Sequence, residues 1–124
     1  MKLFTVQEAN AELPRVRLKL EMIRRLYERV SGLKASAKAA AEASEFGGGM
    51  RGGSGYVKAL YDIGKLTTEI AEQGIQIKDY KRGLIDFPAI RNSRTVLLCW
   101  QLGEPDEIRW WHEVDEGFAG RRPL

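Results

Sequence analysis

From Leu13 to Val30 the apolar residues Leu13, Val16, Leu20, Ile23, Tyr27 and Val30 recur at alternating intervals of three and four. That spacing predicts a helix with the a/d seam of a coiled coil. Leu18, Met22, Leu26 and Leu33 widen the stripe, which calls for more than one packing partner. The helix has a start signal at Thr5-Val6-Gln7-Glu8, a capping box in which the Thr5 hydroxyl accepts the Glu8 amide and the Glu8 side chain reaches back. Leu13-Pro14 predicts a kink or a restart, because proline cannot donate an amide and disfavours helical geometry in the residue before it. Beyond Ser31-Gly32 the seam thins into an alanine-rich run, Ala35 to Ala43, which allows close helix approach but buries little area per residue.

A glycine-rich break over residues 47–55 ends this helix, and helical spacing resumes at Tyr56, Leu60, Ile63, Thr67, Ile70, Gly74 and Ile77. The break follows a helix and lacks the Gly-Lys-Ser/Thr ending of a phosphate loop, so it reads as a linker. Residues 1–82 are thus expected to form a long helical hairpin. At about 1.5 Å per residue, residues 6–45 would span roughly 60 Å and residues 56–73 about 27 Å. The first arm must therefore break or project. The second helix ends at Gly74, with Ile75-Gln76-Ile77 extended, or at Gly83.

Residues 83–124 change period. Leu84 to Phe87 is a short apolar segment ended by Pro88, Arg91 to Arg94 is a turn, and Thr95 to Leu102 is a β run. Gly103 to Asp106 is a second turn, after which Glu107 to His112 runs back. The expected fold is α+β: a coiled-coil-like helical hairpin followed by a small antiparallel β-meander of about three strands, in one domain spanning residues 1–124. A loop at 103–106 pairs Cys99 with Trp110 and Leu97 with His112. One face then carries Leu97, Cys99, Ile108, Trp110 and His112, the other Val96, Leu98, Trp100 and Trp111. Both are largely apolar, so both need cover. The helices can supply one cover, and the tail from Gly117 or a second subunit the other.

Composition narrows the function classes. A chain of 124 residues, 44% apolar, suits one small domain. Its single cysteine excludes an intrachain disulfide, and its single histidine excludes a multi-histidine zinc cluster. No apolar run reaches membrane-spanning length and no leader pattern is evident, which predicts a cytoplasmic, soluble protein without a membrane partner. The net charge of +3 divides into 15 Lys+Arg against 10 Asp+Glu over residues 1–82, and 5 against 7 over residues 83–124. This unevenness suits weak attraction between the two parts or between subunits. Nucleic-acid binding is disfavoured, because Glu21 and Glu28 interrupt the basic stretch from Arg15 to Arg29.

Several short motifs then align: Glu8-Ala9-Asn10, Leu13-Pro14, Gly83 to Ala89, Leu98-Cys99-Trp100 with Gly103-Glu104, Trp111-His112, and Gly117 to Arg121 followed by Pro123-Leu124. Together they resemble the uncharacterised prokaryotic family called domain of unknown function 2203. The resemblance implies a helical N-terminal part and a compact C-terminal motif region. It carries no assigned activity, catalytic residue or cofactor.

The residues themselves offer candidates. His112 suits a general base or a metal ligand with Asp86, Cys99 or Glu104 as partners, since one imidazole plus carboxylates can hold a transition ion. The competing reading is a structural histidine bonded to a carboxylate or carbonyl at a sheet end. Asp86, beside Phe87-Pro88, is expected to be buried and to pair with an arginine such as Arg121 or to cap backbone amides. Cys99 reads as a small buried residue, and the tryptophans as packing. Asp86, Glu104, His112, Glu116 and Arg121 form the candidate ligand-binding set, with His112, Asp86 and Glu104 the candidate metal ligands. No motif of known chemistry is complete, so the sequence assigns no reaction. The leading reading is a non-catalytic homo-oligomer, a dimer first, that serves assembly or partner binding. The alternative is a small-molecule or divalent-metal-binding protein, possibly an enzyme, with a polar pocket in the C-terminal region.

Overall fold

A computed structural model describes residues 1–43 and 53–124, with side chains described for residues 1–33 and 55–124. Two helices, α1 (Val6–Ala43) and α2 (Gly53–Glu72), precede five strands: β1 (Gln76–Asp79), β2 (Leu84–Arg91), β3 (Arg94–Gln101), β4 (Trp110–Glu113) and β5 (Arg122–Pro123). The fold is α+β. The strands pair antiparallel in the order β1-β2-β3-β4-β5. Three of the five match the expected meander, and the additional two lie at its edges.

The capping box forms as expected. The Thr5 amide donates to Glu8 Oε1 at 2.9 Å and the Glu8 amide donates to Thr5 Oγ1 at 3.0 Å. Those bonds, the one from the Thr5 amide first, hold the Glu8 carboxyl below its usual range. Proline does not restart the helix: Pro14 lies inside α1. It faces solvent, so the Asn10 carbonyl left without an amide partner can be hydrated, while its neighbours Leu13 and Val16 are buried and anchor the turn. The helices lie side by side, Lys19 paired with Glu69 near one end and the Arg29 guanidinium close to Gly55 near the other, so they run antiparallel. The break over residues 47–55 falls mostly outside the described residues, and α2 already includes Gly53.

Leu13, Val16, Leu20 and Ile23 of the seam are buried in the chain's own core, with Tyr27 packed against it. On α2 the inner face is Ala59, Ile63 and Ile70; Leu60, expected there, is exposed. Helix α2 stops at Glu72, and Gly74 reverses the chain at a φ of 86° that other residues rarely adopt. Gln76–Asp79 then joins the sheet, which settles the alternative between Gly74 and Gly83 in favour of Gly74.

Strand β2 continues through Pro88, against the expectation that proline would end it. The Pro88 carbonyl accepts the Phe4 amide at 2.7 Å, so its backbone points away from β3, at a level that β1 does not reach. A missing N–H there costs no ladder bond. Asn92 and Ser93, both at positive φ (52° and 64°), make the two-residue turn that joins β2 to β3. Their backbone twist suits a hairpin, and it fixes the register of Asp86 opposite Cys99.

The expected pairs Cys99 with Trp110 and Leu97 with His112 are both present. The run from Glu107 is shorter than expected, because the segment from Glu104 to Ile108 is held by other groups. Trp100 Nε1 donates to the Pro105 carbonyl at 2.8 Å, the Ile108 amide donates to Asn10 Oδ1 at 2.6 Å, and Arg17 pairs with Asp106. The last two contacts clamp this loop to α1, which joins the more basic part of the chain to the more acidic one. On the helix-covered face Ile85, Phe87, Ala89, Val96, Leu98, Trp100 and Trp111 meet the seam of α1, with Phe4 edge-on to Phe87. No helix among the described residues is long and apolar enough to cross a membrane.

Candidate functional site

The opposite face of the sheet places Asp86 on β2, Cys99 on β3 and His112 on β4. Antiparallel register puts them together: Asp86 lies opposite Cys99, and His112 lies opposite Leu97, two residues along β3 on the same face. Asp86 and His112 are only 1% and 2% exposed, as buried as core leucines. Burial on that scale requires each to be satisfied by a partner.

Both are. His112 Nε2 sits 3.1 Å from each oxygen of the Asp86 carboxylate, and His112 Nδ1 sits 2.7 Å from the Glu113 carbonyl oxygen. A carbonyl can only accept, so Nδ1 carries a hydrogen, and Nε2 is the nitrogen turned toward Asp86. One proton therefore bridges Nε2 and the carboxylate. This corrects the expected Asp86 to Arg121 pairing: the partner of Asp86 is the histidine. Cys99 stands close by, and its thiol, a ring nitrogen of His112 and an Asp86 oxygen all lie within 4.8 Å of one another. Burial first, and then the negative charge of Asp86, push the thiol up to about 12, against the opposing pull of Arg121. Left to itself, Cys99 is a neutral thiol and a poor nucleophile.

Arg121 and Glu104 form a separate unit. Arg121 Nη1 and Nη2 donate to Glu104 Oε2 and Oε1 at 2.8 and 2.7 Å, a bidentate pair, and Nη2 also approaches the Cys99 carbonyl at 3.3 Å. Glu104 accepts in addition from the Gln101 amide at 2.7 Å. Burial works against the charged guanidinium, yet Glu104 and Cys99 outweigh it and hold Arg121 above its ordinary range. The guanidinium also lies over Phe118 at 4.6 Å and Trp110 at 5.2 Å. This pair thus fastens the tail across the sheet. Glu104 is committed to it and does not join His112, contrary to its place among the candidate metal ligands. Glu116 pairs with Arg122 at 3.0 Å.

The tail covers this face incompletely. A pocket of about 230 Å³ remains, lined by Asp86 and His112, by Leu84, Leu97, Val114 and Phe118, and by Lys78 and Glu116. Of the five candidate ligand-binding residues, Asp86, His112 and Glu116 reach the pocket, while Glu104 and Arg121 hold the tail beside it. Sequence reasoning undervalued Cys99 as a member of the cluster. The signal was available, since Cys99 and His112 fall on one face in the expected register. Reading Pro88 as a strand end left β2 without a register, and Asp86 without its neighbour.

No curated protein and no solved structure matches the chain. A family model described as an uncharacterized conserved protein, DUF2203, matches residues 2–124. A match over nearly the whole length makes this chain a member of the family known as domain of unknown function 2203.

Proposed function

We propose that this chain is a non-catalytic assembly protein that associates with a second copy of itself through the outer face of its helical layer. The observation that carries the reading is an apolar strip on α2: Val57, Leu60 and Tyr61 are 65%, 45% and 68% exposed. They border Gly64, where a side chain would meet nothing within 4 Å among the described residues. A glycine in a helix interior costs about 1 kcal/mol relative to alanine, and among the described residues there is no close contact that requires it. A second helix crossing at Gly64 does. A shallow groove of about 570 Å³ runs beside it, lined by Leu60, Tyr61, Gly64, Lys65 and Thr68, with Glu69 and Glu72 further along.

Charge favours a second copy as the occupant. Before Gly64 this face carries Lys58 and Asp62, paired with each other, and after it Lys65, Glu69 and Glu72, with Glu69 paired to Lys19 of the same chain. Two copies of α2 packed antiparallel about Gly64 bring Lys58 of each toward Glu72 of the other, a contact that a two-fold interface makes twice. The coiled-coil-like character expected of α1 then belongs to a helical layer shared between copies, with Leu18 and Met22 on its exposed side.

Sedimentation equilibrium at micromolar concentration tests this. The expected result is a dimer that Gly64→Arg converts to a monomer with unchanged helical circular dichroism. A wild-type chain that stays monomeric sinks the reading.

A second reading, a binding role for the C-terminal region, is favoured by the pocket beside the buried Asp86 and His112 pair.

A further inference from the structure

Packing alone does not account for a histidine, a carboxylate and a cysteine gathered on one sheet face; three apolar residues would fill that space without burying charge. We infer that Asp86, Cys99 and His112 form a site for one divalent first-row transition ion of the zinc or iron(II) class, open on its fourth side to the adjoining pocket. The inference does not depend on self-association, because the cluster lies on the sheet face turned away from the helices.

Four features of the site support it. The first is ligand orientation. His112 Nδ1 donates to the Glu113 carbonyl at 2.7 Å, which leaves Nε2 as the nitrogen facing Asp86. A backbone carbonyl on the far ring nitrogen is how a metal-binding histidine is commonly held in its ligating tautomer.

Distance is the second. Metal bonds of about 2.3 Å to sulfur and about 2.0 Å to nitrogen and oxygen place tetrahedral donors roughly 3 to 4 Å apart. The Asp86 and His112 donors already stand at 3.1 Å, and no separation within the trio exceeds 4.8 Å. Small side-chain rotations close the remaining gap.

Charge is the third. One carboxylate and one thiolate carry two negative charges and a neutral imidazole none, so a divalent ion leaves a buried site with no net charge. In the balanced exchange the ion takes the place of two protons: the one on the Cys99 thiol and the one bridging Nε2 and Asp86. Both leave to solvent, and bonds from the metal to sulfur, nitrogen and oxygen form. No redox partner is needed. The mixture of one thiolate, one imidazole and one carboxylate selects ions of intermediate softness over magnesium or calcium.

The fourth feature is the pocket itself. Asp86 and His112 line it, so the side of the ion without a protein ligand faces a space of about 230 Å³. Three protein ligands and one open position distinguish sites that bind a further small molecule from closed structural ones.

Cobalt(II) added to the full chain is the probe. Binding of one ion per chain should produce visible d–d bands and a near-ultraviolet band from thiolate to cobalt. Cys99→Ser should abolish the thiolate band, and Glu104→Gln, which alters the neighbouring ion pair, should leave it in place. X-ray absorption on the zinc-loaded wild-type chain reads the ligand set without any variant and should give one sulfur among nitrogen and oxygen neighbours. No stoichiometric binding, a shell without sulfur, or a thiolate band that survives Cys99→Ser would each overturn the assignment.

Discussion

The two faces of the sheet are built from the same three strands and bury their residues almost equally, yet they solve burial in different ways. Toward the helices, Ile85, Phe87, Leu98 and Trp100 are packed by apolar neighbours. Toward the tail, Asp86, Cys99 and His112 stand among Leu84 and Leu97, with Asp86 bonded to His112 and His112 in turn to the Glu113 carbonyl. The first face gains stability from each methylene it removes from water. The second offers little that packing could not supply better, and what it gains is a placed set of donor atoms beside a pocket. Where a fold carries polar groups at core depth and satisfies them pairwise, the arrangement points to a use beyond stability.

The comparison can be broken from either side. On the helix face, Phe87→Ala should cost about 4 kcal/mol in urea unfolding, since it leaves a cavity beneath Phe4 that rigid sheet and helix neighbours cannot close. A loss below about 1 kcal/mol would mean that this face is not the chain's main core. On the tail face, Asp86→Ala should cost about 3 kcal/mol, because it strands a buried imidazole. Combining Asp86→Leu with His112→Phe should recover most of that loss while removing any metal response. If the double variant is as unstable as the single one, the polar pair is structural and the contrast between the faces disappears. A further effect concerns alkali. With Cys99 raised from an ordinary 9.0 to about 12, the folded state holds the thiol proton more tightly than the unfolded state does. Its contribution is complete below about pH 9 and is lost as pH rises toward 12. Unfolding midpoints measured across that window should fall more steeply for the wild-type chain than for Cys99→Ala.

Much of this architecture is written locally in the chain. The helical spacing from Leu13 to Ile23, the Thr5 and Glu8 box and the apolar β run of Thr95 to Leu102 depend on neighbours a few residues away, and the helix, the cap and the strand each form there. The edge strands were harder to see. Gln76–Asp79 is four residues with one β-branched apolar member, and Arg122–Pro123 has no apolar alternation at all, so both are strands only because a neighbour supplies the ladder. The candidate site was legible by type and not by pairing. His112 and Cys99 could be set on one face from the β3 to β4 register, but Asp86 joins them through a turn at Asn92 and Ser93, neither of them glycine, whose positive φ values no strong sequence signal announced. Arg121 and Glu104 are 17 residues apart and find each other only once the tail has folded back.

The bond from Phe4 to Pro88 has a consequence for how this protein behaves in a crowded solution. Past the end of β1, strand β2 presents a short unpaired margin, and such margins recruit strands from other chains into aggregates. Here the first polar group on that margin is a proline nitrogen that cannot donate, and its carbonyl is already occupied by the Phe4 amide. The residues ahead of α1 thus act as a guard rail: they add little to the core beyond one phenylalanine ring, and they deny a foreign strand its first hydrogen bonds.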